Sequence, residues 1–433
     1  MSTHKLEPSA AVAAAVGLLA LASAMGIGRF SLTPILPLMQ QDKGLSLAAG
    51  SWLATTNYLG YLAGAIACIA LQPQPAGAIR WGLLWVGVLT LAMGFCDWPP
   101  AWLALRFLAG VASAFVLVGT SAWAMPILRH HGREEWSGHV FAGVGVGIAF
   151  AGLFGLFAGV DAWGSRATWI ALGAVSIALS GLLWRSLAGD AGLAAQKTAP
   201  RERAKLPRSA LIAAACYATF GFGYIIPATY LPALARGYIN NPALFGLIWP
   251  VFGTAAAVST LISAWLFRDL PPRQLWVRSK WVLAAGVLAP AAWINVPTLL
   301  ISAVCVGGTF VVITMAGIKE ALRLGGAPAS LAIGVMTAAF GAGQIAGPLL
   351  MGLLGRSDHA FAWASLIAAA SLVAGNIALL VFGRGADPAA EEAQATVSVI
   401  PGPPERAEPG ISRFRVRCCA PPRNDGSLSS HNP

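Results

Sequence analysis

Charged residues make up only 10% of this 433-residue chain, where a water-soluble domain carries roughly 25%. A chain so poor in charge cannot cover its own surface in water, which excludes a string of soluble domains. Acid is scarcest: 17 Asp and Glu stand against 28 Lys and Arg, and none of the acids falls at the centre of an apolar run. Cysteine is equally sparse. Cys68, Cys96, Cys216 and Cys305 stand singly in or beside apolar segments, and Cys418 and Cys419 are adjacent near the end. No zinc-site spacing or secreted disulfide framework results. His130, His131 and His139, with Glu134 and Glu135, lie in one loop without matching ligands elsewhere, so no metal site is expected. There is no Gly-rich loop ending in Lys-Ser/Thr, which argues against direct ATP use. Nor is there a Ser/His/Asp set, a carboxylate pair or a cofactor signature, so the chain does not read as an enzyme.

Hydrophobic residues are abundant, at 57%, and the 49 glycines and 28 prolines are embedded among them without a three-residue period. That excludes a collagenous or wholly disordered chain. The net charge of +11 comes from short basic clusters between apolar runs, not from one basic face, so a nucleic-acid partner is not expected. A membrane-spanning helix needs about 20 apolar residues. Twelve runs qualify: 9–38, 46–71, 81–97, 100–125, 139–160, 164–187, 209–235, 243–267, 279–295, 297–318, 329–354 and 360–383. Trp81, Trp98, Trp163, Trp184, Trp276 and Trp281 fall near their ends, as in an aromatic belt. With the amino terminus in the cytoplasm, most loop Lys and Arg lie inside, and only Lys43, Arg166, Arg236 and Arg356 lie outside. The positive-inside rule then places both termini in the cytoplasm of a multi-pass inner (plasma) membrane protein.

Lys5 and the small-x-small triplet Ala22-Ser23-Ala24 resemble a cleavable leader, but internal repetition argues that the first span is retained. Gly26, Gly28, Leu36 and Pro37 match Gly221, Gly223, Leu231 and Pro232 at an offset of 195, and Gly145 and Gly147 match Gly341 and Gly343 at 196. The expected organisation is a short cytoplasmic segment (1–8), a six-helix bundle (9–187), a basic linker (188–208), a second six-helix bundle (209–383) and a polar tail (384–433) without the periodicity of a core. The basic linker suits a solvated loop beside anionic lipid heads.

Several motifs carry a resemblance. The stretch Gly28-Arg-Phe-Ser-Leu-Thr-Pro-Ile-Leu-Pro-Leu-Met39 is followed by Ser51-Trp-Leu-Ala-Thr-Thr-Asn-Tyr-Leu-Gly-Tyr-Leu-Ala-Gly64. Together they resemble the YbfB-type branch of the major facilitator superfamily. Arg106-Phe-Leu-Ala-Gly110 is similar to the superfamily's fourth-helix Arg-x-x-x-Gly, and Gly341-Ala-Gly-Gln-Ile-Ala-Gly-Pro348 to its eleventh-helix sequences. The resemblance covers about residues 9–384. It implies an all-α membrane protein with twelve transmembrane helices in two six-helix pseudo-repeat bundles, working as a monomeric secondary transporter with a small-molecule substrate and the bilayer as partners, and with a proton as a possible coupling ion. The loop between helices two and three departs from the family pattern: Leu71-Gln-Pro-Gln-Pro-Ala-Gly-Ala-Ile-Arg80 has no Asp, so its gating role does not transfer. Arg268, Asp269 and Arg273 are the loose counterpart in the second half.

Ionisable groups inside a bilayer cost at least ~2.5–3.5 kcal/mol at its centre, which makes each a functional candidate. Arg29 and Arg106 are the two read as lying within spans. Either each snorkels or tethers a backbone kinked at Pro34 and Pro37, or its fork of donors holds an anion. The resemblance places both on cavity-lining helices and suggests a share in proton movement for Arg106. With no carboxylate at mid-span, an anionic substrate is the natural counter-ion. Asn57 and Tyr61, at i and i+4, Gln344, and Tyr224 at the repeat position of Arg29 complete the candidate substrate site. Asn57 and Gln344 read equally well as helix–helix hydrogen bonders, and Thr309 and Thr314 as bonded back to their own helix. The small-residue faces Gly143-Gly147-Ala151-Gly155 and Gly343-Gly347 are expected where the halves rock against each other. The resulting function is transport of a small, preferentially anionic organic solute by alternating access. Multidrug efflux is the alternative, and a membrane enzyme or channel lacks the necessary cluster or filter.

Overall fold

A computed structural model describes residues 8–187, 206–238, 246–324, 328–354 and 359–381. Most of the expected linker and the whole expected tail lie outside these residues. The described residues form helices: α1 (Ala10–Leu21), α2 (Leu32–Asp42), α3 (Leu47–Leu71), α4 (Pro75–Phe95), α5 (Pro99–His130), α6 (Ser137–Val160), α7 (Gly164–Trp184), α8 (Arg208–Tyr238), α9 (Ile248–Leu266), α10 (Pro272–Ala292), α11 (Val296–Arg323), α12 (Ala329–Leu354) and α13 (Ala360–Val381). Helices α1 and α2 make one span, joined by a π-helical turn at Ala22–Ile27. Eleven of the spans are long and apolar enough to cross a bilayer, and α10, which carries Arg273, Arg278 and Lys280, is the less apolar twelfth.

Helix starts follow local chemistry. The Ser9 and Ser46 side chains cap α1 and α3 by accepting the amides of Val12 (3.3 Å) and Ala49 (3.1 Å). Proline at the first position opens α4, α5 and α10, where its missing N–H is of no consequence. This is why α4 and α10 begin six or seven residues before their apolar runs do. Asn295 and Thr298 form a reciprocal capping box on α11.

Glycines set the closest crossings. A side chain at Gly26 would run into the Gly147 backbone, one at Gly60 into Phe107, and one at Gly110 into Asn57. These contacts pull α6 onto the first span and α3 onto α5. The small-residue faces are placed differently from the sequence expectation. Gly143, Gly147 and Gly155 pack on Leu18, Ala22 and Pro34 of the first span, and Gly343 and Gly347 on Ala218 and Ile225 of α8. The contact between α6 and α9 instead uses Gly138, Gly145 and Gly152 against Ala264, Ala257 and Pro250. At about 100° per residue, Gly145 points some 200° away from Gly143. The α6 helix is therefore smooth on two faces, and α12 meets α3 through Gly334 and Gly341, opposite Ile69 and Leu62.

Candidate functional site

The site begins at the break in the first span. In the π-helical turn, amides reach back five residues: Gly28 N to Ser23 O (2.8 Å) and Phe30 N to Met25 O (3.0 Å). Pro34 and Pro37 follow, and neither has an amide proton to return to the preceding turn. Carbonyls at such a break in register need partners in a bilayer. Arg106 supplies two: its Nη1 donates to Gly28 O (2.9 Å) and its Nη2 to Arg29 O (2.7 Å). Ser113 Oγ lies 3.0 Å from Ala24 O, and Ser23 and Ser176 hydroxyls meet at 2.5 Å.

Arg106, only 1% exposed, thus spends its fork on the backbone that carries Arg29 and is not among the residues lining the central cavity. This is the tethering role weighed for it above. Asn57 Nδ2 donates to Arg106 O (2.8 Å), so Asn57 also serves the scaffold.

Arg29 points the other way. It is 3% exposed, and its guanidinium carbon lies 3.8 Å from the centroid of the Tyr61 ring, a cation–π stack. Its Nη2 donates to Gln344 Oε1, and Gln344 Nε2 donates to the Tyr224 hydroxyl (2.6 Å). This chain runs from the first span through α12 to α8. Arg29 Nε and Nη1 are buried without a hydrogen-bond acceptor. Beside them lies a cavity of ≈ 20 Å³, room for about one water. Arg29, Phe30, Tyr61, Tyr217, Tyr224, Phe310 and Phe340 are among its lining residues. Thr309 and Thr314 return their hydroxyls to Cys305 O (2.6 Å) and Phe310 O (2.8 Å) of their own helix.

Of the six residues singled out from sequence, Arg29, Tyr61, Gln344 and Tyr224 come together, and Arg106 with Asn57 forms a layer behind them. The ring-rich wall of α8 was legible as Tyr217, Phe220 and Tyr224, an i, i+3, i+7 stripe. Phe310 and Phe340 had no such signal. Lys280, the second residue of the run 279–295, was also missed, because Arg273 and Arg278 just before it made it read as part of the basic end of that span. It lies inside α10 at 0% exposure, and its Nζ donates to Cys216 O (3.0 Å) and Thr219 Oγ1 (2.7 Å) of α8. Arg268 pairs loosely with its neighbour Asp269 (3.6 Å), and Arg273 donates to Leu379 O of α13 (2.6 Å from Nη2). Among the described residues no three His, Cys, Asp or Glu gather as metal ligands.

A bundle of long apolar helices around a buried, half-satisfied cation defines a polytopic membrane transporter. The family described as "Uncharacterised MFS-type transporter YbfB" matches residues 21–380. The chain belongs to that family of the major facilitator superfamily: it is a secondary transporter, integral to the membrane and multi-pass, and not an enzyme. No curated protein matches the chain.

Proposed function

We propose that the transported solute is a small organic molecule, preferentially an anion, and that Arg29 is its anchor. The observation that carries this reading is the Arg29 guanidinium, buried with two of its nitrogens, Nε and Nη1, lacking an acceptor. The described acids lie outside this site; the most buried, Glu320, is at the far end of α11 and paired with Arg323 (2.9 Å). A buried charge without a partner is costly, and a carboxylate on the solute relieves that cost with charge-assisted hydrogen bonds. Gln344 and Tyr224 orient the solute, and Arg106 and Asn57 hold the backbone that presents Arg29.

Transport proceeds by rocker-switch alternating access, the 9–187 bundle moving against the 209–383 bundle. The α6–α9 and α3–α12 contacts are the sliding surfaces, and glycine on both supports that role because it offers no side chain to interlock. Both termini face the cytoplasm, by the basic residues of the loops on that side.

The test is a thermal-stability screen of the purified protein against carboxylates, phosphates, amines and neutral drugs. A ligand at 100 times its Kd adds about 2.7 kcal/mol. Stabilisation by anions in the parent and not in folded Arg29→Ala is the expected result. Stabilisation confined to amines or neutral drugs, and equal in the variant, replaces this reading with multidrug efflux.

A further inference from the structure

We infer that the solute is an aromatic monocarboxylate, a planar ring bearing one carboxylate; the inference rests on Arg29 as the anion anchor. Three features of the cavity support it: how many charges it offers, what covers its walls, and what must part for it to open.

The charge count favours one carboxylate. Arg29 lines the cavity with Nε and Nη1 lacking acceptors, whereas Arg106 does not line it: its Nε also lacks an acceptor, but both terminal nitrogens are engaged by Gly28 O and Arg29 O. Arg29 is the one cation among the residues lining this cavity, so one charge matches one carboxylate, and a di- or triacid would bring charge that no second lining cation meets. The polar lining is also thin. The Thr314 and Thr337 hydroxyls are committed to Phe310 O (2.8 Å) and Ile333 O (2.7 Å), and the Tyr61 hydroxyl, which has no partner, is too little by itself to recognise a sugar.

The walls are rings. Tyr224 is near-parallel to Phe310 (6°) and to Phe340 (15°), with both centroids 5.4 Å away. Tyr61 already covers one face of the Arg29 guanidinium, so an anion meets its edge. A ring attached to that anion then enters among aromatic faces.

Opening selects for the same chemistry. A space of ≈ 20 Å³ admits no organic solute, so helices must separate. The ring pairs lost between the first-span and α3 side and the α11 and α12 side are Phe30–Phe310 (6.1 Å, 75°) and Tyr61–Phe340 (6.4 Å, 72°), both edge-to-face. An aliphatic solute restores the burial of these rings but not the edge-to-face geometry, whereas an aromatic solute restores both.

The experiment measures melting of the purified full chain with benzoate, 4-hydroxybenzoate, 2-naphthoate, cyclohexanecarboxylate, hexanoate, benzamide and benzylamine. At least one aromatic acid is expected to bind roughly 2- to 10-fold tighter than cyclohexanecarboxylate, the range for one ring pair. Arg29→Gln should abolish the effect. Phe310→Leu, with Phe340→Leu as a second variant should the first not fold, should level aromatic acids with cyclohexanecarboxylate while keeping the carboxylate requirement. Equal binding of cyclohexanecarboxylate and the aromatic acids in the parent overturns the aromatic inference and leaves the anion site standing. Benzamide or benzylamine binding as well as benzoate, undiminished in Arg29→Gln, overturns the anion site itself. No shift with any aromatic acid at millimolar concentration, while hexanoate shifts the melt, also overturns the inference.

Discussion

The first and seventh spans share a Gly-x-Gly and a Leu-Pro at one spacing, yet the first breaks into α1, a π-helical turn and α2 while the seventh runs on as α8 from Arg208 to Tyr238. Each also receives a fully buried cation on its backbone. Arg106 bonds Gly28 O and Arg29 O, and Lys280 bonds Cys216 O. The difference lies in what those carbonyls have otherwise. Gly28 and Arg29 stand at the break, where helical amides are missing, so Arg106 is their replacement. Cys216 lies inside a continuous helix and also accepts from Thr219 Oγ1 (2.8 Å), so Lys280 adds to a carbonyl already served. Pro34 has Thr229 at its repeat position, Leu32 has Pro227 and Arg106 has Ile301, so the two spans share the spacing of four residues but not what surrounds them. A broken helix and its buried guanidinium are one structural unit.

The largest effect should come from removing that guanidinium. Arg106→Leu leaves two buried carbonyls unmet at ~1–3 kcal/mol each, a loss of roughly 2–6 kcal/mol. Arg106→Lys should recover only part of it, because an ammonium lacks the fork. Denaturation in detergent checks both. Ser113→Ala should cost about 1 kcal/mol by the same measurement, one hydrogen bond at Ala24 O or Ala109 O. On the seventh-span side Lys280→Met should change stability by less than about 1 kcal/mol or raise it, since exchanging a buried charge for an apolar chain of similar length is often neutral or favourable. A loss as large as that of Arg106→Leu would erase the distinction between the two spans.

The smallest effect lies beyond the far end of the first span. There Lys43 hydrogen-bonds Asp97 (2.7 Å) in an exposed pair. The bond to Lys43, and then its charge, hold the Asp97 carboxyl below the ordinary carboxylate value. A lowered folded-state pKa means the contribution is present above about pH 4 and fades as pH falls through the lowered value. Melting of parent and Asp97→Asn should therefore differ slightly at pH 6 and converge in acid.

Much of this was legible in the residues themselves. Runs of about twenty apolar residues have few alternatives to a span, and a charge inside such a run marks itself by its cost. Arg29 and Arg106 were visible for that reason. Their division of labour was not, because sequence spacing does not say which way a side chain leaves a broken helix. Lys280 was hidden by its charged neighbours: it is the second residue of its apolar run, and it lies well inside the helix only because α10 begins at Pro272, seven residues before that run. Phe310 and Phe340 carry no periodic signal and become partners of Tyr224 only when α8, α11 and α12 pack together.

By itself, then, the sequence determined membrane residence, the number and order of spans, the scarcity of acid within them and the presence of two buried guanidinium groups. These depend on composition along single helices, where transfer energies act residue by residue. The tertiary structure decided which arginine holds backbone and which faces the cavity, which face of α6 meets α9, and that Phe220, Phe310 and Phe340, from three helices, stand around Tyr224. Those outcomes depend on helix rotation and crossing, which glycine contacts between distant segments settle and no local pattern encodes.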